Sequence, residues 1–344
     1  MSGIMAPVAS IVLLAYNHER FVEEALSSAL AQDFRDFELL VFDDASTDST
    51  RAKIEAFFRA RPDLDVSVTT VFHDRNLGLL ATVNEALALV KGEYFIFLAG
   101  DDIAMPYRLS RTLAAFKADP AVRMVWGEYV RIDEKGRRLG VSASPEVGRV
   151  FSYDRGPLFR IYAGAAPMGA SAGYHRSTYD RFGPLVPGSH GEDNCLLVRA
   201  LLLGSAYLSP ETLICWRQHG GNLSNFSTEV AADGWRQRHL RWMESHATMS
   251  AQWRRDIDCA NKLGLITWFR GLRLRWAASR EDAAWALSAS SLRCDPWPEW
   301  SRHAGRLLLL GRPSTVLKSA WVRLSPSARE KTWIWWAKMK SGGV

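Results

Sequence analysis

A chain of 344 residues, 47% apolar and 23% charged, has enough apolar content for a large core in two domains of ordinary size, and general disorder is excluded. Its 43 Lys and Arg against 37 Asp and Glu leave a net +6, a mild surplus that suits nucleotides or lipid headgroups and gives no case for nucleic acid. Four scattered cysteines with no C-x-x-C pair exclude a zinc ribbon or thioredoxin-type site, and no run reaches the ~18 apolar residues of a membrane span.

The first ten residues lack the basic segment of a secretory signal, so reduced thiols in a cytoplasmic setting are expected. Residues 10–15 then read as a buried strand, broken by Tyr16-Asn17-His18. Phe21, Val22, Ala25, Leu26, Ala29 and Leu30 repeat at helical spacing over 19–31. A second strand over 37–42 runs into Asp43, Asp44 and Asp48, and a helix carrying Ile54, Phe57 and Phe58 stops before Pro62. A third strand, 66–72, leads to the loop with Asp74, Asn76 and Gly78, and a helix over 79–90 ends at Lys91-Gly92. A fourth strand, from Phe95, ends in Ala99-Gly100-Asp101-Asp102. A helix over 106–118 and a fifth strand over 123–127 follow.

This alternation at a period of roughly 30 residues argues an α/β doubly wound parallel sheet. Adjacent carboxylates cannot lie inside a buried strand, so Asp101 and Asp102 must emerge at its carboxyl end. Any one such pair could be a helix cap. Acidic groups at three consecutive strand ends are better explained by a shared site for a divalent cation and, through it, a phosphate. The loop at 15–19 has no glycine, so the dinucleotide fingerprint is missing, and no P-loop occurs.

From Tyr129 the sequence reads as a hairpin turning at Lys135-Gly136, then a Gly/Ala-rich stretch over 163–173 and a loop over 182–190, both expected to shape an acceptor site. Gly191-Glu192-Asp193 opens a helix over 194–203, where the helix dipole would favour the two carboxylates as a first-turn feature alone. A strand over 213–216 precedes Arg217-Gln-His219. Residues 225–344 differ in character: 12 of the 14 tryptophans fall there, interleaved with Arg and Lys. Packed inward they make a helical bundle; turned outward they make a basic amphipathic surface for a bilayer interface.

Ordered blocks now accumulate. They are Ile-Val-Leu-Leu-Ala15-Tyr16-Asn17, Ala25-Leu-x-Ser-x-Leu-x-Gln32-x-Phe-x-Asp-Phe-Glu38 and Val-Phe-Asp43-Asp44-x-Ser46-Thr47-Asp48-x-Thr50. Asn76-x-Gly78 with Asn84, then Gly92-Glu93-Tyr94 through Asp101-Asp102-x-x-x-Pro106, follow, and Glu192-Asp193 and Arg217-x-His219-x-x-Asn222-x-Ser224 complete the set. With these the chain resembles the inverting glycosyltransferases of family 2, of GT-A fold, over about residues 9–224.

The resemblance implies a GT-A domain over 1–224, nucleotide-binding over 1–127 and acceptor-side over 128–224, with a helical extension over 225–344. It implies a nucleotide-sugar donor, usually a UDP-sugar, with Mn²⁺ or Mg²⁺, and a glycan or lipid-linked acceptor. Nucleotide-binding positions would be Ala15, Tyr16, Asn17, Asp43, Asp44, Asn76 and Asp101, with Tyr16 near the base and Asp44 accepting from it. Asp101, Asp102 and His219 would hold the metal, Asp193 would be the catalytic base, and Glu192 and Ser171 would lie on the acceptor side. Many relatives carry an acidic residue where Ala99 stands, so metal affinity is in question. The tail is expected to meet the inner face of a membrane, as a peripheral enzyme of polysaccharide or glycolipid synthesis.

Two other readings compete. Gly169-Ala-Ser171-Ala-Gly173 fits G-x-S-x-G, and Ser171, Asp193 and His219 fall in hydrolase order, but no buried strand precedes Ser171. A non-catalytic sugar-binding protein on the same fold would account for Ala99.

Overall fold

The computed structural model describes residues 6–152, 167–187, 191–222, 248, 249, 251–267, 271 and 274. The chain divides into two compact units, residues 1–187 with 191–225, and 188–190 with 226–344. In the second unit residues 251–262 are helical, with Trp253, Ile257 and Ala260 buried. The remaining tryptophans of the tail and its basic face, and the 153–166 part of the Gly/Ala-rich region, lie outside the described residues. Among the described residues no helix is long and apolar enough to cross a membrane.

The first unit is built on β1 (Ala9–Ala15), β2 (Phe37–Asp43), β3 (Ser67–Phe72) and β4 (Tyr94–Ala99), joined through α1 (Val22–Leu30), α2 (Thr50–Arg59) and α3 (Leu79–Leu89). β1 pairs parallel with β2 and β4, and β2 pairs parallel with β3. β2 is buried along its whole length, which is why it reads as an unbroken apolar run. α1 turns Val22, Ala25, Leu26 and Ala29 inward at helical spacing and carries Glu23 and Glu24 in its first turn, where the dipole favours anions. Ile11, Leu13, Leu39, Val41, Ile96 and Leu98 pack with these residues and with Leu109 and Leu113 of α4 (Arg108–Ala118) as one core.

The register fixes the site. Ala15 lies opposite Asp43, Asp43 opposite Phe72, and Leu14 opposite Ala99. Four parallel strands therefore finish on one edge, and the loops that follow them share one rim.

Beyond β4 the sheet is mixed. A two-residue strand, β5 (Ile103–Ala104), precedes α4, and β6 (Val122–Ile132) pairs with β7 (Arg138–Val141) as the hairpin expected around Lys135-Gly136. The fifth strand does not sit beside β4. A short antiparallel strand, β9 (Gly173–His175), lies between β4 and β6. Three residues beginning with glycine carry no readable strand signal, and a Cβ at Gly173 would stand 2.7 Å from Thr112 Cγ2. β10 (Ser205–Arg217) is longer than its apolar end implies, and pairs with β6, with β8 (Val150–Ser152) and with β5. Its register shifts between Ser209 and Ile214, next to Pro210, so the proline sits at an irregularity rather than in a regular ladder. Two short connections, a turn of helix at Gly169–Ser171 and α5 (Ser177–Asp180), flank β9, and α6 (Glu192–Leu203) follows.

Candidate active site

At the end of β4 the chain turns sharply, and Gly100 N donates to Leu14 O of β1 at 2.8 Å. A Cβ on Gly100 would lie 2.8 Å from His18 Nδ1 and 3.0 Å from Ala15 Cβ, so the glycine lets the His18 ring close against the turn. Three side chains converge there. His219 Nε2 lies 2.9 Å from Asp101 Oδ2, Asn222 Nδ2 donates to the same oxygen at 3.2 Å, and His18 Nε2 stands 3.7 Å from it. The ligand atoms of His18, Asp101 and His219 all lie within 4.8 Å of one another. Burial acts to raise the Asp101 carboxyl, but the His219 hydrogen bond and the two imidazoles outweigh it and hold it below the ordinary range.

Asp102, expected as a partner ligand, turns the other way. It is 2% exposed, and its Oδ1 accepts from Arg217 N at 2.9 Å. Burial and then the charge of Asp101 push its carboxyl well above the ordinary value. It joins the end of β10 to the turn and belongs to no metal-competent cluster among the described residues. The Arg217 guanidinium crosses the same ground. Nε donates to Asp101 O at 2.9 Å, Nη1 to Asp133 O at 3.2 Å, and Nη2 to Glu24, while its carbon stands 4.8 Å over the Phe21 ring.

The loops after β1 and β2 lock each other. Asn17 N donates to Ser46 Oγ at 2.9 Å, and Thr47 N donates to Asn17 Oδ1 at 2.8 Å. Asn17 and Ala45 both have left-handed backbone, with φ 57° and 58°. Asn tolerates this, whereas Ala does so at a cost of roughly 1 kcal/mol. Asp43, expected to face the nucleotide, is buried and takes Ser46 N and Oγ instead, and Ala15 is buried, its carbonyl accepting Asp44 N. Asp44 Oδ1 accepts Leu77 N at 2.7 Å and lies 2.8 Å from His73 Nδ1, and its Oδ2 accepts Gly78 N at 2.9 Å. A carboxylate has about four acceptor positions, so Oδ2 keeps one for a further donor. Tyr16 and Asn76 are exposed on the same rim.

Asp193 stands in the first turn of α6. Gly191 at φ 78° leads into the helix, and a Cβ there would meet Asn194 Nδ2 and Asp193 Oδ1 at 2.8 Å. Asp193 Oδ1 accepts Asn194 N at 2.7 Å, and Oδ2 accepts Gly169 N at 3.2 Å. Gly173 pairs antiparallel with Ile96, and the turn of helix at Gly169–Ser171 just before β9 lies against β4. The Asp193 carboxylate is thereby fastened to the turn that lies against β4, the strand leading to Asp101. Burial raises Asp193 to about 6 and, with the neighbouring Asp193 charge, raises Glu192 to about 8. The two titrate as a pair.

Ser171 is not on an acceptor surface. It is fully buried, its Oγ lies 3.0 Å from Gly127 O and 3.1 Å from Met168 O, and it accepts from Gly127 N at 3.3 Å. With its hydroxyl spent on backbone and His219 held at Asp101, no Ser-His pair forms, and the hydrolase reading falls.

Other residues position the site: Asn84, already among the ordered blocks, and two buried arginines that carried no signal of their own. Asn84 Nδ2 donates to Leu185 O at 2.8 Å and its Oδ1 accepts Leu185 N at 2.7 Å, tying α3 to the loop before α6. Buried Arg199 holds that loop through Gly183 O at 2.7 Å, and buried Arg108 Nη2 donates to Phe97 O at 2.7 Å. A buried arginine in a helix reads as a surface charge until the carbonyls around it are known.

One carboxylate oxygen and two imidazole nitrogens at a buried turn suit a divalent first-row ion. Residues 10–182 match the family described as Glycosyl transferase family 2, half of the chain. The chain belongs to this family. A relative in Nostoc sp., an uncharacterised glycosyltransferase, is 27% identical over 62% of this chain and 65% of its own length. One in Haemophilus influenzae is 29% identical over 37% of this chain and 38% of its own. The chain thus spans less than two-thirds of the length of these curated relatives. Among solved structures, S. aureus TarS 1-349 in complex with UDP-GlcNAc superposes with a TM-score of 0.52 at 17% identity, covering 90% of each chain. The mannosyltransferase PcManGT of Pyrobaculum calidifontis, in complex with GDP-Man and Mn²⁺, gives 0.51 at 17% identity over 93% of this chain and 88% of its own. The fold is that of the GT-A glycosyltransferases, a mixed α/β sheet.

Proposed function

We propose that this family 2 protein is an inverting glycosyltransferase that moves a sugar from a nucleoside diphosphate, most readily UDP, to an acceptor hydroxyl. The observation that carries this is the fastening of Asp193, a carboxyl raised to about 6, to the Gly169 turn that lies against β4, the strand leading to Asp101. A nucleotide-sugar donor is further supported by the ligands of the two structural neighbours.

Each group then has a task. Tyr16 offers an exposed ring to the base, and Asp44 Oδ2 offers it an acceptor. Asp101 and His219 would hold a divalent cation, which when bound supplies Lewis-acid neutralisation of the leaving diphosphate. Asp193 takes the proton of the attacking hydroxyl; with a pKa of about 6 it is mostly ionised at pH 7 yet still basic enough to accept. One base serving one displacement from the far face of the sugar inverts the anomeric centre. The acceptor proposed is a glycan or lipid-linked chain, met at the inner face of a membrane through the Trp/Arg-rich tail.

The product's stereochemistry tests this reading. An α-linked UDP-sugar is incubated with enzyme and Mn²⁺, and the ¹H NMR anomeric signals are followed before mutarotation. The β-sugar or β-glycoside should form first. First appearance of the α-product would overturn the inverting assignment.

A further inference from the structure

We propose that His18 is a third protein ligand of the cation site, making it a two-histidine, one-carboxylate centre that prefers Mn²⁺ or Co²⁺ to Mg²⁺. This rests on the cation reading above and adds to it a residue and a selectivity.

A hydrogen bond explains His219, whose Nε2 lies 2.9 Å from Asp101 Oδ2. It does not explain His18. At 3.7 Å its Nε2 is too far from the same oxygen to bond it, and its Nδ1 is buried with no hydrogen-bond partner. Among the described residues neither ring nitrogen is hydrogen-bonded, although the side chain is only 16% exposed. With Nδ1 turned to Gly100, Nε2 is the ring nitrogen that faces the Asp101 carboxylate, and it has a lone pair or proton with no hydrogen-bond partner there, the position an ion would fill.

The surroundings hold the ring there. His18 N donates to Thr50 Oγ1 at 2.8 Å, and its carbonyl accepts Phe21 N and Val22 N at 2.9 Å as α1 begins. Gly100 leaves the room for the ring, and any Cβ there would fill it. The His18 and His219 rings stand perpendicular with centroids 6.3 Å apart, both aimed at one carboxylate oxygen. Ligand atoms around an ion bound at ~2.1 Å sit roughly 3–3.5 Å apart, close to the 3.7 Å and 2.9 Å seen here. Ala99, before the turn, offers no donor atom, so nothing on β4 makes up the coordination that His18 can supply. Mg²⁺ takes oxygen ligands and gives up water reluctantly, while imidazole suits later first-row ions. Each histidine therefore moves the site away from Mg²⁺.

The test uses the full chain with Co²⁺, Mn²⁺ and Mg²⁺ in turn, alone and with UDP, and does not depend on turnover. Affinities come from calorimetry, and Co²⁺ coordination from its visible absorption. Wild type should bind Mn²⁺ more tightly than Mg²⁺ by about tenfold or more, and His18→Ala should lose about 10–100-fold of the Mn²⁺ affinity and change the Co²⁺ bands. His18→Asp should narrow the gap between Mn²⁺ and Mg²⁺. His18→Gln, of similar size and hydrogen-bonding ability, keeps the packing and should fail as His18→Ala does. Unchanged Mn²⁺ affinity and Co²⁺ spectrum in His18→Ala would overturn the proposal, as would a loss confined to UDP affinity, which would put His18 on a phosphate. A wild type that transfers sugar while His18→Ala binds metal normally would sink the ligand assignment and leave the transferase reading standing.

Discussion

Asp193→Asn is expected to lower kcat by about 10²–10⁴-fold while leaving UDP affinity nearly unchanged. Asparagine keeps the shape, and its one oxygen can still accept from Gly169 N, which Asp193 Oδ2 does at 3.2 Å, at the loss of the local bond from Asn194 N. What is lost is the ability to take a proton. The pH profile separates this from misfolding. Wild-type kcat/KM should rise with pH through about 6, where Asp193 loses its proton, and level off above it. A rise centred near about 8 would instead assign the base to Glu192. Both carboxyls are raised by burial, so they favour the folded state below the ordinary carboxylate value and withdraw that support as pH rises through about 6 and about 8. The asparagine variant, having no charge to bury, should therefore be at least as heat-stable as wild type at pH 8. Near-wild-type turnover in Asp193→Asn would end the assignment.

Arg217→Met should destabilise the fold by about 2–4 kcal/mol, as leaving several buried carbonyls without a donor does. Its guanidinium serves the carbonyls of Asp101, Asp133 and Glu134 and the carboxylate of Glu24. Methionine has the length but no donors, so the carbonyl oxygens at the Asp101 turn and the hairpin lose their partner, and the Asp102 carboxylate loses a nearby cation. Glu24 is exposed and regains water, so the cost is centred on the turn. Arg217→Lys should recover little, because one ammonium cannot reproduce a planar fork with partners on several sides. Urea denaturation measures the loss. A variant within about 1 kcal/mol of wild type would mean that the turn is held by the strand ladder alone.

The half of the fold that places the site was legible because β1, β2 and β4 are buried runs that end in polar residues, and α1 shows an amphipathic stripe. A parallel sheet must line up those endings, so the shared rim followed from pattern alone. The far half was not, because β9 is three residues long and β10 is interrupted near Pro210. At the site, residue type was readable and direction was not. Asp101 and Asp102 are adjacent and chemically alike, but the turn at Gly100 sends one to His219 and the other to Arg217 N. His18 read only as a strand breaker, since its approach to Asp101 depends on the room at Gly100, 82 residues away in the chain. Ser171 read as a nucleophile by spacing, and its backbone partners on β6 were out of view.

In the proposed site the rim of Asp44, Asp101, His18 and His219 holds a nucleoside diphosphate together with a cation. Calorimetric titration of UDP into the full chain, with Mn²⁺ and again with chelator, addresses it most directly. Binding should be tighter with Mn²⁺ by about tenfold or more, about 1.4 kcal/mol or more. Equal UDP affinity with and without the ion would contradict it.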